Sequence, residues 1–424
     1  TVYCPVSGVT TRYPGPKQAG PDGERYRMKD PRYYDDKALK MCLNCKRCEI
    51  VCPQDVKVGD IIQSARIKYS LQGIGIREFM LANTDLVGTL ATHSFGLANR
   101  VVHMGLTKWM LHKMVGIHQG RTFPAYASHT FEAWYRREAA KGQQSFDRKV
   151  AYFHGCYVNY NFPQLGKDFV KVMNACGYGV RLLEKEKCCG VALIANGLPQ
   201  QAKKQGEVNM SSMEKAINGG NEAVLTTSST CTFTMRDEYK DLLNIDNSKV
   251  RDSLMLATRF LCQKIEEGKI KLAFRDDFHK KAAYHTACHM ERMGWSVYSI
   301  QLLKMIPGLD LTVLESHCCG IAGTYGFKKE NYERSQKIGA PLFQQIREVN
   351  PDCVATDCET CKWQIDMSTG YTVENPISLL AQAIDVEATR KLNQYNTHSF
   401  PSCHVRIHHD GRMGMPLNIR GMKL

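Results

Sequence analysis

The sequence predicts a multidomain protein of mixed α+β and α/β class, whose larger part consists of two copies of one parallel α/β unit. The first observation is length, because 424 residues exceed one ordinary domain and suggest about three. The second is an internal repeat, in which a Cys-Cys-Gly segment at 188–190 recurs at 318–320. The third is composition, since 43% hydrophobic and 23% charged residues are typical of folded chains and exclude a disordered one.

The repeat sets the boundaries of two units. The segment 149–156 matches 281–288, and the later matches keep the same order and spacing. Chance does not produce such agreement, so we assign residues 149–270 to a first repeat unit and residues 280–384 to a second. Residues 385–424 form a basic tail whose role the sequence does not indicate.

Short apolar stretches alternate with helical stretches in each unit. In the first repeat unit we expect strands at Val150–Phe153, Val180–Leu183 and Ala223–Thr226, separated by helices near 164–175 and 198–217. This β-α-β-α-β order predicts a parallel sheet with right-handed crossovers. The motif cysteines then follow the carboxyl ends of strands, where open parallel sheets collect ligands, so thiols distant in sequence can converge on one crevice.

Eighteen cysteines are the most informative feature of the composition. They are too sparse for a disulfide scaffold, and no secretory signal is visible, so clustered thiols indicate metal or redox sites in a reducing compartment. Fourteen of them fall into three groups. The groups are Cys4, Cys42, Cys45, Cys48 and Cys52; Cys156, Cys188, Cys189 and Cys231; and Cys288, Cys318, Cys319, Cys358 and Cys361. Outside the groups, we expect Cys176, Cys262 and Cys353 to be buried apolar residues.

The first group lies in residues 1–75, which we expect to form a helical, ferredoxin-like region. Residues 42–53 read C-x2-C-x2-C-x3-C-P, whose short spacings wrap three thiolates around one face of a [4Fe–4S] cube. In two-cluster ferredoxins the fourth cysteine of each run ligates the other cluster, and Cys4 resembles the end of an earlier run that precedes this chain. The expected ligands of one cluster are Cys4, Cys42, Cys45 and Cys48. Cys52 would serve a second cluster. A zinc site on the four cysteines of the run is the alternative, although zinc sites favour two pairs with a longer spacer.

Residues 76–148 are expected to form an amphipathic helical segment that binds a membrane surface or a partner. Residues 1–150 hold 23 Lys and Arg against 13 Asp and Glu, which is +10 of the chain's net charge of +14. No carboxylate occurs in 86–131, a stretch that includes Trp109 and suits an anionic lipid surface. Its basic residues are Arg100, Lys108, Lys113 and Arg121. No apolar run reaches about 18 residues, so the sequence predicts peripheral attachment rather than a transmembrane helix.

Long motifs give the chain a family resemblance that extends from its first residues to about residue 384. They include LNCKRCEIVCP, HGCYVNYNFPQLGKD, KEKCCG, SSTCTF, CCGIAGTYGFKKENY and TDCETCKWQI. In these motifs the chain resembles the family of C subunits of anaerobic glycerol-3-phosphate dehydrogenases. That family belongs to the wider group that shares the CCG cysteine-rich domain of heterodisulfide reductase.

The resemblance implies an iron–sulfur electron-transfer subunit that holds a catalytic flavoprotein at the cytoplasmic face of the inner membrane. FAD and the glycerol 3-phosphate site would then belong to partner subunits, because this chain has neither a G-x-G-x-x-G after a strand nor a P-loop. Quinone would be the electron acceptor, and no catalytic residue is assigned to this chain.

The two repeat units are expected to hold iron–sulfur clusters of different kinds, cubane or non-cubane. The second has five motif thiols, whereas the first has four and carries Ser228 where the second has Cys358. A zinc ion or a single cubane cluster in either unit is the alternative.

Two other classes of protein compete with the electron-transfer subunit. A catalytic thiol–disulfide reductase of the heterodisulfide type would also use a five-cysteine motif. A zinc-stabilised nucleic-acid binder would explain the positive charge. That charge lies mostly outside the repeat units, however, and no stacking aromatic motif accompanies it, so we expect no nucleic-acid partner.

Overall fold

The computed structural model describes residues 2–30, 36–69, 75–94 and 96–394, so most of the basic tail, residues 395–424, lies outside the described residues. Within the described part of the chain, no helix combines the length and apolar character needed to span a bilayer.

The described residues of the ferredoxin-like region and the helical segment form short helices. The α-helices span Gly23–Lys29, Asp36–Leu39, Arg47–Ile50, Val58–Tyr69, Ile76–Ala82, Thr84–Thr92, Leu97–His103, Gly105–Met110 and Phe131–Trp134. Short π-helical turns occur at Gln18–Asp22, Leu111–Val115 and Tyr135–Ala139, and a 3-10 turn occurs at Gly142–Ser145. Helix Val58–Tyr69 shows the periodicity that builds this part, because Val58, Ile62, Ala65 and Tyr69 recur on one face and are all buried.

The first repeat unit is a four-stranded parallel sheet. Its strands are β1 (Arg148–Tyr152), β2 (Tyr178–Leu182), β3 (Val224–Thr226) and β4 (Leu254–Leu256), in the spatial order β2-β1-β3-β4. The helices are Gly155–Tyr160, Pro163–Ala175, Val191–Ala195, Pro199–Asn218, Ser229–Phe233, Tyr239–Leu243, Ser248–Arg251 and Ala257–Glu266. A π-helical turn, Thr234–Glu238, joins two of them. The three expected strands and both expected helices are confirmed, and the two long crossover helices each begin with a proline at the first turn.

The second repeat unit has the same topology. Its strands are β5 (Lys280–Tyr284), β6 (Leu309–Val313), β7 (Cys353–Ala355) and β8 (Val373–Glu374), in the order β6-β5-β7-β8 and again parallel. The helices are Cys288–Met293, Ser296–Lys304, Tyr332–Val349, Glu359–Thr369 and Pro376–Ala383, with short 3-10 turns at Tyr325–Phe327 and Lys329–Asn331. Helix Val386–Gln394 follows in the described first residues of the basic tail. The identical strand order confirms that the two sequence repeats are copies of one fold.

The two repeat units pack tightly against each other through a shared apolar core. Polar contacts fix their relative position: Lys171 Nζ donates to the Ala381 carbonyl at 2.7 Å, and Ser378 Oγ donates to Asp168 Oδ2 at 2.6 Å. Near the strand ends, the Ser229 amide donates to the Asp357 carbonyl at 2.8 Å. The carboxyl ends of both sheets are therefore held close together.

Arg121 corrects one expectation about the helical segment. We expected it on the basic surface, but its side chain is buried, with an exposed fraction of 2%. Its guanidinium donates to the Gly326 carbonyl at 2.7 Å and to Ser335 Oγ at 2.9 Å, and it also contacts Gln364. The Arg121 guanidinium therefore forms hydrogen bonds inside the protein, and these bonds connect the helical segment to the second repeat unit.

Candidate metal centres

Four thiols of the ferredoxin-like region line one small cavity together with Tyr13 and Gly59. They are those expected to hold one cluster: Cys4, Cys42, Cys45 and Cys48. Left-handed backbone conformations at Asn44 and Lys46, with φ of 55° and 61°, turn the chain so that successive cysteines face the same space. Cys52 does not line the cavity, and its sulfur accepts a contact from the Val56 amide at 3.4 Å.

The surroundings of this cavity disfavour the thiolate form of its cysteines. Burial raises the pKa of Cys42 and of Cys45, and burial together with neighbouring thiolates raises the pKa of Cys48 to about 12. Thiols in such surroundings stay protonated unless a metal stabilises the thiolate. Four thiols around one space are the donor set of a [4Fe–4S] cluster, so the residues present fit that group.

A buried charge network holds this loop against the first repeat unit. Lys46 is fully buried, and its ammonium contacts Asp60 and lies 3.7 Å from Glu49 Oε1 and 3.8 Å from Glu238 Oε1. Burial alone would lower the pKa of Lys46, but the three carboxylates raise it above its ordinary value. Arg47, the next residue, donates to the Ser316 carbonyl at 2.8 Å and so reaches the second repeat unit. Neither side chain is a solvated surface group.

The motif cysteines of the repeat units lie where the sequence predicts, just beyond the carboxyl ends of strands. Several thiols are in direct contact. Cys156 Sγ lies 3.7 Å from Cys188 Sγ, and Cys319 Sγ lies 3.3 Å from Cys361 Sγ. In the second unit, Cys288 Sγ also lies 3.9 Å from Cys318 Sγ. All cysteines of the described residues are free thiols.

The glycine of each Cys-Cys-Gly motif is required by the backbone. Gly190 and Gly320 have φ of 85° and 86°, a left-handed conformation that favours glycine. At Gly320 a Cβ would also lie only 2.1 Å from the Ser335 carbonyl oxygen. The motif glycine therefore lets the adjacent cysteines turn inward while a helix packs directly behind them.

Thiols from both repeat units and from the ferredoxin-like region meet at one cavity of about 580 Å³. All nine motif cysteines of the repeat units line it, and Cys45 belongs to both this cavity and the smaller one. The sequence predicted that thiols distant in the chain can converge on one crevice, and the thiols of both repeat units line this single space. The nine are Cys156, Cys188, Cys189, Cys231, Cys288, Cys318, Cys319, Cys358 and Cys361.

Local hydrogen bonds lower the pKa of some of these thiols. Hydrogen bonds from Cys318 and Cys361 lower the pKa of Cys319 to about 6, and a hydrogen bond from Cys361 lowers the pKa of Cys358 to about 6. The sulfurs surround a volume and do not point at one atom. Among the described residues, no three His, Cys, Asp or Glu side chains converge in the manner of a single-ion site. Thiols spread around a cavity suit a cluster of several metal atoms better than one zinc ion.

Ser228 occupies the position of Cys358 in space as well as in sequence. It caps helix Ser229–Phe233, and its hydroxyl accepts from the Cys231 amide at 3.2 Å and donates to Glu359 Oε2 at 2.8 Å. Cys358 stands in the same place before helix Glu359–Thr369. The two units therefore present four and five thiols in otherwise matching frames.

Sequence reasoning missed Asp85, which contacts this site from the helical segment. Its carboxylate accepts a hydrogen bond from the Cys188 amide at 2.8 Å, and burial raises its pKa to about 7. The feature of the sequence that could have indicated Asp85 is its position as the last acidic residue before the carboxylate-free stretch 86–131. Cys176, Cys262 and Cys353 are buried in the core, as expected.

Comparison with known proteins identifies the family. A family model described as "Cysteine-rich domain" matches residues 150–236 and 282–366, which confirms the two CCG domains. The chain is 56% identical over 384 residues to the C subunit of anaerobic glycerol-3-phosphate dehydrogenase from Escherichia coli strain K12, covering 91% of this chain and 96% of that protein. The chain belongs to this C-subunit family. The predicted resemblance is thereby confirmed.

The chain also resembles more distant relatives. The B subunit of fumarate reductase (CoM/CoB) from Methanothermobacter marburgensis is 26% identical, over 85% of this chain and 65% of that protein. An iron–sulfur protein of Methanocaldococcus jannaschii is 28% identical, over 54% of this chain and 43% of that protein. Among solved structures, glutamate racemase of Francisella tularensis covers 59% of this chain and 82% of its own at 9% identity, but its TM-score of 0.27 supports no argument.

Proposed function

We propose that this chain is the iron–sulfur electron-transfer subunit of an anaerobic glycerol-3-phosphate dehydrogenase. It would accept electrons from flavoprotein subunits that carry FAD and the glycerol 3-phosphate site, and pass them toward quinone. The observation that carries the proposal is the meeting of thiols from three parts of the chain around two adjoining cavities. The proposed ligands are the fourteen motif cysteines, with Cys52 assigned to a second ferredoxin-type cluster.

The arrangement supports a continuous route for electrons. Cys45 lines both cavities, and its thiolate is close enough to Cys288 for their charges to raise the pKa of Cys45 beyond the effect of burial. A cluster in the ferredoxin-like region would therefore adjoin the centres of the repeat units. Potentials along such a route depend on burial, hydrogen bonds and nearby charge, and the buried Lys46 with its three carboxylate partners lies beside the first cavity.

Metal analysis tests the proposal. After anaerobic purification we expect iron and acid-labile sulfide in similar amounts, and a flavoprotein that co-purifies with the chain. The two repeat units should give spectroscopically different centres, because Ser228 provides no thiolate. Stoichiometric zinc without iron would contradict the proposal, and two identical centres would contradict the difference between the units.

A thiol–disulfide reductase is the second candidate function, and the contacts between cavity thiols favour it. Cys319 and Cys361 lie 3.3 Å apart, which is close enough for thiol chemistry if no metal holds them. Reduction of a disulfide but not of a quinone by the purified complex would support this candidate instead.

We also propose that the helical segment attaches the protein peripherally to the cytoplasmic face of the inner membrane. Twelve of the 23 large apolar side chains that are exposed among the described residues lie between Ile76 and Met114. Trp109 is 51% exposed, and Arg100 and Lys113 are exposed beside these apolar groups. Apolar side chains with flanking basic residues suit an anionic lipid interface, and no carboxylate opposes them within residues 86–131.

Replacing Arg100, Lys108 and Lys113 by Gln should release the chain from vesicles that contain anionic lipid. Each basic residue near such a surface contributes about 1 kcal/mol, so the triple variant should lose up to about 3 kcal/mol of binding. Co-sedimentation at low and moderate salt measures the effect, with iron content unchanged. The control removes three exposed lysines of the first repeat unit, Lys204, Lys240 and Lys249. Equal release by both variants, or no release by the first, would make the segment a protein-docking surface.

A further inference from the structure

The cavity that collects the cysteines extends well beyond them. Besides the thiols, the helical segment contributes apolar side chains to its walls, among them Met80, Val87, Leu90 and Val102. Metal clusters bound to the cysteines would fill the space beside the thiols. We call the space beside the apolar side chains the apolar compartment, or apolar end, of the cavity.

The apolar compartment is built from the same helices as the surface that we propose to face the lipid. Met80 and Leu90 both line the cavity and are partly exposed, with exposed fractions of 38% and 65%. On helix Leu97–His103, Val102 lines the cavity, whereas its neighbour Val101 does not line it and is 41% exposed. A ligand of this compartment would therefore lie next to the proposed membrane-facing side chains.

The near absence of charged side chains around the cavity indicates which chemical class of ligand it would bind. Among the described residues that line it, Glu359 is the one acidic side chain, and none is Lys or Arg. A phosphate monoester would lose its hydration there without gaining a cation, which is unfavourable. A neutral, largely apolar ring with a few hydrogen-bonding oxygens meets apolar walls and scattered hydroxyl groups, such as those of Thr107 and Tyr126.

We infer that the apolar end of this cavity, walled by the helical segment, is the binding site for a lipid-soluble quinone. The inference rests on the proposed function, and it adds the place on this chain where the electron acceptor, quinone, binds. The bound quinone takes up two electrons, delivered one at a time through the clusters, and two protons from water, and leaves as the quinol. The electrons originate in oxidation of glycerol 3-phosphate at the flavin of the partner subunits.

A matched pair of substitutions tests the location in the complete complex. Val102→Trp fills the compartment, whereas Val101→Trp places the same bulk on the outer side of the same helix. We expect Val102→Trp to lower kcat/KM for a short-chain quinone by about tenfold or more, as steric exclusion from an apolar pocket does. Glycerol 3-phosphate-driven reduction of ferricyanide and the iron content should stay unchanged. Wild-type quinone kinetics in Val102→Trp would overturn the inference, and the milder Ala98→Leu repeats the test if Val102→Trp does not fold.

Photolabelling separates failure of the site from failure of the proposed function. An azidoquinone should label peptides within residues 80–126 of the wild-type complex in vesicles, and Val102→Trp but not Val101→Trp should abolish the label. Labelling there in a complex that glycerol 3-phosphate cannot reduce would support the site and contradict the proposed electron donor. Labelling confined to other peptides would overturn the inference, whatever the activity.

Discussion

Lys46→Met should lower the free energy of unfolding by about 3–5 kcal/mol, because it leaves buried carboxylates without their cation. Glu49 and Glu238 are each almost fully buried, and Asp60 is 14% exposed. Burial raises the pKa of Asp60 despite its contact with Lys46, so desolvation already opposes this network. Replacing the lysine therefore removes its attraction for the carboxylates, while the free-energy cost of burying them remains. Chemical denaturation of the wild-type and variant chains under identical metal loading measures the difference.

Lys57→Met is the matched control. Lys57 also joins the ferredoxin-like region to the first repeat unit, with Nζ 2.6 Å from Asp241 Oδ2, but its side chain is 48% exposed. Exposed ion pairs contribute about 0–1 kcal/mol, so this variant should remain close to the wild type. Similar losses in both variants would show that the burial of Lys46 has no special energetic role.

The second large effect concerns iron content. In the 424-residue chain, Cys4→Ser should remove about four iron atoms per molecule, because a [4Fe–4S] cube rarely persists after loss of one thiolate ligand. Cys176→Ser should leave the iron content unchanged, since Cys176 is buried in the apolar core and lines neither cavity. Iron and sulfide assays on anaerobically purified variants measure both changes. Retention of all iron in Cys4→Ser would reject the assignment of Cys4.

The sequence was sufficient for the parts of the fold that depend on local periodicity and on the repeat. Strands β1, β2 and β3 and their crossover helices lie within a few residues of their predicted positions, and the cysteines follow strand ends as expected. Strands β4 and β8, which lie at the edges of their sheets and span three and two residues, were not predicted.

Individual contacts between distant segments could not be predicted from the sequence. The common cavity depends on how the two sheets face each other, which is set by contacts such as Lys171 with Ala381. Charge alone did not show that Arg121 and Lys46 are buried, because the partners of Arg121 and one partner of Lys46, Glu238, lie in the repeat units. Asp85 was missed for the same reason, since its partner is the amide of Cys188.

The most direct test of the account is whether glycerol 3-phosphate reduces metal centres on this chain. The chain should be combined anaerobically with its flavoprotein subunits, mixed with glycerol 3-phosphate, and followed by electron paramagnetic resonance and visible absorbance. The account predicts reduced iron–sulfur signals that require the flavoprotein and disappear when a quinone is added. Centres that stay oxidised while the partner flavin becomes reduced would contradict the central claim that this chain carries the electrons.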